Sequence, residues 1–253
     1  MPELRDNALC LRQWDWSETS QTVALLTREH GVLRGLAKGA KREKAPFSGG
    51  FEVLTIGEVA AITKQPGRLA NVIAWDLRES HPGFRRDLRT LYAGMLVIDL
   101  IANTLEEGDP HPGLFDAAAR CLGALSTDPG GPVGPPLGTL LFKLLTEIGF
   151  RPNLEHAVSD EGRGAEAYGF DRGGGSLVPD PGEHDPARVW RVRSDTVGYL
   201  LRLTEGGGRH RPDAGDERVA EVAYRAAKLL AAYAADRAER PVPSVGLVFP
   251  DLA

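Results

Sequence analysis

Two kinds of hydrophobic spacing divide this chain. Up to about residue 80, apolar and polar positions alternate over short runs bounded by Gly, Pro and charged turns, which is the pattern of strands buried on one face. Strands are predicted over Arg5–Trp14, Thr22–Thr27, Gly31–Lys38, Phe51–Thr63 and Leu69–Leu77. Arg28-Glu29-His30-Gly31 is the expected hairpin turn between the second and third, and Gln65-Pro66-Gly67 the turn between the last two. Five strands within about eighty residues, with Gly-rich corners and no helix to cover a sheet, is the count of an OB-fold β-barrel; an SH3-like barrel is the nearest competitor.

After His81-Pro82-Gly83 the apolar period lengthens to about 3.6 residues. Phe84, Leu88, Leu91, Met95, Ile98, Ala102 and Leu105 share one face, which predicts a long amphipathic helix over 84–107. Within it, Asp99 is expected to face solvent or to be hydrogen-bonded. Further helices are predicted over 112–125, 137–148, 196–204 (capped by Ser194 or Asp195) and 217–237. The intervening DPGGPVGPP, residues 128–136, is expected to be neither helix nor central strand. The fold class is therefore α+β: an N-terminal five-stranded OB-fold barrel, residues 1–80, followed by an α-helical C-terminal domain, residues 81–253. The joint is too short for a flexible linker, so the two parts are expected to pack together. Leu140, Leu144, Ile148, Leu200, Leu203, Tyr224, Leu229 and Tyr233 are predicted core residues.

Composition narrows the class without naming a function. In 253 residues, 42% hydrophobic and 26% charged positions are ordinary for a soluble globular protein. No apolar run reaches bilayer length and Met1–Gln13 lacks a signal-peptide layout, so a cytoplasmic protein is expected. Two distant cysteines, Cys10 and Cys121, exclude a disulfide framework and a four-cysteine metal site, and both are expected to be small buried hydrophobes. The net charge of −5 is uneven: the first 80 residues sum to +1 and the rest to −6. Contact with a polyanion must then be local.

The place for such contact is Thr22–Phe51, where two strands lead into a basic turn carrying Arg34, Lys38, Lys41, Arg42 and Lys44, interrupted by Glu43. Gly39 lets the backbone turn in their midst. Cations clustered on a barrel rim suit nucleic-acid phosphates, and Lys64 and Arg68 stand to join them. A solvated loop charged only for solubility would read the same way. Trp14, Trp16 and Phe51 are candidate platforms for bases or, equally, packing residues. Signals for catalysis are missing. No G-x-x-x-x-G-K-[ST], G-x-S-x-G or H-E-x-x-H occurs, Gly173-Gly174-Gly175 does not join a strand to a helix, and Gly206-Gly207-Gly208 reads as a turn. The six histidines lie in apparent turns, where solvent exposure is expected. A non-enzymatic binding protein is the expectation, with an OB-fold RNA-binding or protein–protein adaptor module as the alternative to DNA binding.

Longer runs carry a family likeness. LLTREHGVLRGLAKGAKREK, SGGFEVLTIGE, IDLIANTLEEGDPHPGLFDAAARCLGAL, FKLLTEIGFRPNLE and AAKLLAAYAADRAERPVPS, in this order, resemble the RecO family of recombination mediators across most of the chain. The resemblance implies an OB-fold followed by a helical domain in a bacterial, nucleoid-associated protein without a cofactor. It implies binding to single- and double-stranded DNA, annealing of complementary strands, and RecR and single-strand-binding protein as partners in loading recombinase. Many members carry a four-cysteine zinc site, whose positions fall here at Ala157, Asp160, Val178 and Pro181; none supplies a thiolate. His156, Asp160, Asp180, Glu183 and His184 fit no recognised zinc spacing. An irregular, metal-free, cysteine-less loop is therefore expected at about 157–186.

Overall fold

The computed structural model describes residues 3–48, 50–63, 68–182, 188–205 and 217–252. Lys64, the Gln65-Pro66-Gly67 turn, Glu183, His184, Gly206-Gly207-Gly208 and His210 lie outside the described residues. The contacts of the backbone group the chain into two compact units, residues 1–130 and 131–253. The change of hydrophobic period at 81–83 falls inside the first of them.

In the first unit, five strands close into a barrel in the order β1-β2-β3-β5-β4: β1 Glu3–Asp15, β2 Gln21–Thr27, β3 Gly31–Ala37, β4 Ile56–Ile62 and β5 Ala70–Glu79. β1 is long because it serves two neighbours. It pairs with β4 over Glu3–Leu9 and with β2 over Ala8–Asp15, and a break in register between Cys10 and Arg12 turns it from one to the other. Closure comes from β3 and β5, which run parallel with Gly35 opposite Ala70 and Ala37 opposite Val72. Leu4, Ala8, Cys10, Val23, Leu25, Val59, Ala61, Val72 and Trp75 fill the interior.

The expected fourth strand is shorter at its start, because Phe51–Thr55 is a turn and not an extended run. Leu54 adopts a φ of 64°, Thr55 Oγ1 donates to the Glu52 carbonyl at 2.6 Å, Cys10 N–H donates to the Thr55 carbonyl at 2.9 Å, and Leu54 N–H donates to the Cys10 carbonyl at 3.1 Å. Both residues are buried, Phe51 in the barrel core and Leu54 close to Gly94 and Phe84.

The first unit continues through a 3-10 turn, Pro82–Arg85, into α1 Leu88–Thr104 and α2 Pro112–Thr127. The single helix expected over 84–107 is thus split. Asp87 caps α1 by accepting the Thr90 N–H at 2.7 Å, and that bond holds its carboxyl below the usual carboxylate range. At the joint a Cβ on Gly83 would overlap the Ser126 carbonyl, so only glycine lets the turn lie on the end of α2. These helices tie to the barrel by directed contacts. Arg28, in the β2–β3 turn, donates from Nε and Nη2 to both Asp116 oxygens at 2.9 and 3.0 Å, Arg12 Nη2 reaches Asp99 at 3.4 Å, and Gly108 N–H donates to the Val32 carbonyl at 3.1 Å. His81 and His111 are not solvated turn residues: their side chains are 6% and 13% exposed, and His81 Nδ1 bonds the Leu54 carbonyl at 2.6 Å. The turns that carry them are folded under neighbouring chain.

The second unit is built on α3 Gly134–Glu147 and α6 Glu217–Ala235, which pack closely, a Cβ on Gly134 overlapping the backbone of Tyr224. Short α4 Glu155–Val158, α5 Ser194–Glu205 and α7 Ser244–Val248 complete the helices. α3 begins inside the segment expected to be barred from helix; Pro135 and Pro136 occupy its first turn, where the missing N–H has no intrahelical partner to lose. Leu140, Leu144, Leu200, Leu203, Leu229 and Tyr233 are buried as expected, while Ile148 and Tyr224 are only partly covered.

The loop at about 157–186 is not irregular throughout. β6 Ala167–Asp171 and β7 Ser176–Val178 lie in it, and with β8 Val189–Arg193 they form an antiparallel sheet ordered β7-β6-β8. Strands so short, separated by Gly and Pro, carry too little alternation to stand out. Phe170 anchors the sheet, its ring 5.1 Å from that of Tyr233 and 6.3 Å from that of Trp190. Among the described residues no helix is long and apolar enough to cross a membrane.

Candidate nucleic-acid interface

The chain between β3 and β4 leaves the barrel and folds back onto it. Gly39 makes the first reversal with a φ of 70°, a left-handed conformation that a side chain would strain. Gly39 N–H donates to Ser20 Oγ at 3.1 Å, Lys41 N–H to the Thr19 carbonyl at 3.0 Å, and Phe51 N–H to Gln21 Oε1 at 3.1 Å. Apolar contacts finish the anchoring. Ala40, Phe47 and Phe51 join the barrel core, with Phe51 4.9 Å from the Trp75 ring and 6.0 Å from Phe47. Phe51 is 5% exposed, so it packs the loop down and offers no face to a base.

Arg34, Lys38, Lys41, Arg42 and Lys44 are all exposed, but they are not equivalent. Arg34 Nε is held by Glu107 Oε1 at 2.7 Å and Lys41 Nζ by Asp15 Oδ1 at 2.6 Å. Among the described residues Lys38, Arg42 and Lys44 have no ion pair. Neutralised cations attract phosphate less, so the effective patch contracts to these three.

Lys38 and Arg42 border a shallow cleft of about 340 Å³ whose other wall is Trp16, with Ser17, Ser20, Leu36 and Gly39 between them. Trp16 is 64% exposed, an unusual place for so large a ring. Trp14, 50% exposed, does not line the cleft. The cation cluster was visible in the sequence because its members are neighbours. Asp15 and Glu107, which pair with two of them, come from outside the cluster and carried no local signal, whereas Trp16 was a candidate platform already and the fold brings it to Lys38 and Arg42.

The zinc positions implied by the family likeness do not fit a metal. Ala157 is buried in α4, Val178 belongs to β7, and no group of three His, Cys, Asp or Glu gathers among the described residues. Other bonds cross-link the region. Arg191 donates to the Asp180 carboxylate at 2.8 and 2.9 Å, Asp171 accepts the Gly173 and Gly174 N–H groups at 3.2 Å each, and Arg172 pairs with Asp236 at 2.8 Å while stacking 4.5 Å over Trp190. Metal analysis of the purified protein is expected to find no stoichiometric zinc, and a chelator to leave the melting temperature unchanged. One zinc per chain, lost together with the fold, would be the contrary result.

Neither cysteine suits covalent chemistry. Burial pushes the Cys10 thiol up to about 12 and raises that of Cys121, so little thiolate forms near neutral pH.

The family models described as recombination protein O N terminal and C terminal match residues 1–81 and 85–244. The chain is 32% identical over 199 residues to a DNA repair protein RecO of Rhodopirellula baltica, across 78% of this chain and 73% of that one. The corresponding protein of Cutibacterium acnes is 26% identical over 259 residues, 98% of this chain and 99% of the relative, and that of Bacillus subtilis 28% over 197 residues, 77% and 74%. Models that together account for both halves, and relatives aligned along the same length, place the chain in the RecO family of DNA repair and recombination proteins.

Proposed function

We propose that this protein is a non-enzymatic recombination mediator that binds single- and double-stranded DNA, anneals complementary strands and helps load recombinase onto DNA covered by single-strand-binding protein. The observation that carries the reading is the set of cations without ion pairs among the described residues, Lys38, Arg42 and Lys44, on a loop fastened to a closed barrel. Annealing requires that repulsion between two polyanions be screened while the bases stay free to pair, and phosphate contacts from a cationic rim do that without engaging base edges. We read the barrel as an OB-fold, a reading supported by the β1-β2-β3-β5-β4 order with its parallel closure. In this view residues 1–80 hold the DNA and residues 81–253 offer helical surface to RecR and single-strand-binding protein. The protein would act in the bacterial cytoplasm at the nucleoid.

The test is the dependence of single-stranded DNA affinity on salt. Three neutralised phosphates predict a log–log slope near about −2. A flat slope would favour the protein–protein adaptor, and stronger binding to RNA of equal length would favour an RNA-binding role. Releasing Lys41 from its carboxylate should add to the slope. Asp15→Asn is expected to raise affinity for single-stranded DNA and to steepen the slope by about 0.7, the increment for one further phosphate. An unchanged slope would mean that Lys41 lies out of reach of the strand.

A further inference from the structure

We infer that the cleft between Trp16 and the Lys38–Arg42 turn is a stacking subsite for an unpaired base of single-stranded DNA, with Lys38 and Arg42 on the flanking phosphates. The inference rests on the DNA-binding reading above and deepens it. An indole 64% exposed leaves apolar surface in water that folding did not cover. It lines the same cleft as Lys38 and Arg42, which have no ion pair among the described residues, and no acidic residue is among those described residues that line it. An aromatic face beside cations is what an unpaired nucleotide recognises: the ring takes the base and the cations take the phosphates.

The cleft is also preformed. Trp16 N–H donates to the Ser20 carbonyl at 2.9 Å and Ser17 N–H to the same oxygen at 3.3 Å, which fixes the Trp16 wall. From the other wall, Gly39 N–H reaches Ser20 Oγ at 3.1 Å and Lys41 N–H reaches the Thr19 carbonyl at 3.0 Å. Both walls therefore hang on Thr19-Ser20, and Ser20 is only 9% exposed. Binding need not order the backbone, so less of the contact energy is lost to entropy. Every base has a π-face, so the subsite tolerates any sequence. Stacking engages that face and leaves the pairing edge to a complementary strand, which suits annealing. A duplex, whose bases are already stacked, cannot use the subsite.

The experiment compares the full-length protein and its Trp16→Ala variant on oligo-dT, on an oligonucleotide of equal length made of abasic sites, and on a duplex. Trp14→Ala serves as the control for loss of an exposed indole. Trp16→Ala is expected to weaken oligo-dT binding about tenfold, to leave abasic and duplex binding unchanged, and so to erase the preference of the wild type for dT over abasic DNA. Trp14→Ala should leave that preference intact. If Trp16→Ala binds oligo-dT as tightly as the wild type, the stacking subsite is overturned, while a steep salt slope would still uphold the DNA reading. If the wild type binds none of the three, both fall together.

Discussion

Replacing Lys38, Arg42 and Lys44 together by Glu is expected to weaken single-stranded DNA binding about a hundredfold near physiological salt and to flatten the salt slope by about 2. The three residues are the members of the basic cluster with no ion pair among the described residues, so each is available to a phosphate and each reversal adds repulsion. Losses should be similar across unrelated sequences, because the phosphate backbone carries no sequence information. Arg34→Glu and Lys41→Glu sharpen the test, since Glu107 and Asp15 already occupy those cations; each is expected to cost only a few-fold. Equal losses from all five positions would show that the ion pairs open freely in the complex. No loss from the folded triple variant would make the cluster a solvated loop. Circular dichroism suffices to establish folding, as all three side chains are exposed.

Phe51→Ala is expected to destabilise the protein by about 3–5 kcal/mol, the usual cost of emptying a buried aromatic site. Phe51 lies between Phe47 and Trp75 and closes the loop that bears Lys41, Arg42 and Lys44 onto the barrel core. Removing it should lower the urea midpoint strongly and weaken DNA binding indirectly, by loosening the loop. Binding at low temperature, where the variant stays folded, should recover in part. A Phe51→Ala protein of wild-type stability that nevertheless lost DNA binding would return Phe51 to the role of base platform. Phe51→Leu, which keeps most of the apolar volume, should cost much less.

How much of this was legible beforehand follows from how far each feature depends on neighbours in the chain. The five strands and the main helices could be read from residues 5–77 and 88–235 because their apolar spacing is local and reflects one buried face apiece. The basic cluster was equally local, its members lying within Arg34–Lys44. Where local rules were applied too strictly they misled. Pro135 and Pro136 speak against a helix by local rules, yet the N–H groups of a first helical turn have no intrahelical acceptor, and α3 starts there. Phe51–Thr55 had the composition of a strand, but it folds as a turn with Leu54 at positive φ, tied to Cys10 of β1 by two backbone bonds. The short strands β6 and β7 had no period long enough to detect, and their sheet depends on Phe170 reaching Tyr233, 63 positions away.

Sequence by itself determined the α+β class, the run of five strands before the helices, the cation cluster, the lack of zinc thiolates and the family likeness. Each of these is written in adjacent residues or in their order. Tertiary structure alone decided which cations remain available, because Glu107 and Asp15 reach Arg34 and Lys41 only after the chain has folded. It alone moved Phe51 into the core and brought Trp16 to one cleft with Lys38 and Arg42. Electrostatic and aromatic contacts act through distances of a few ångströms in space, and separation along the chain says nothing about those distances until the barrel has closed.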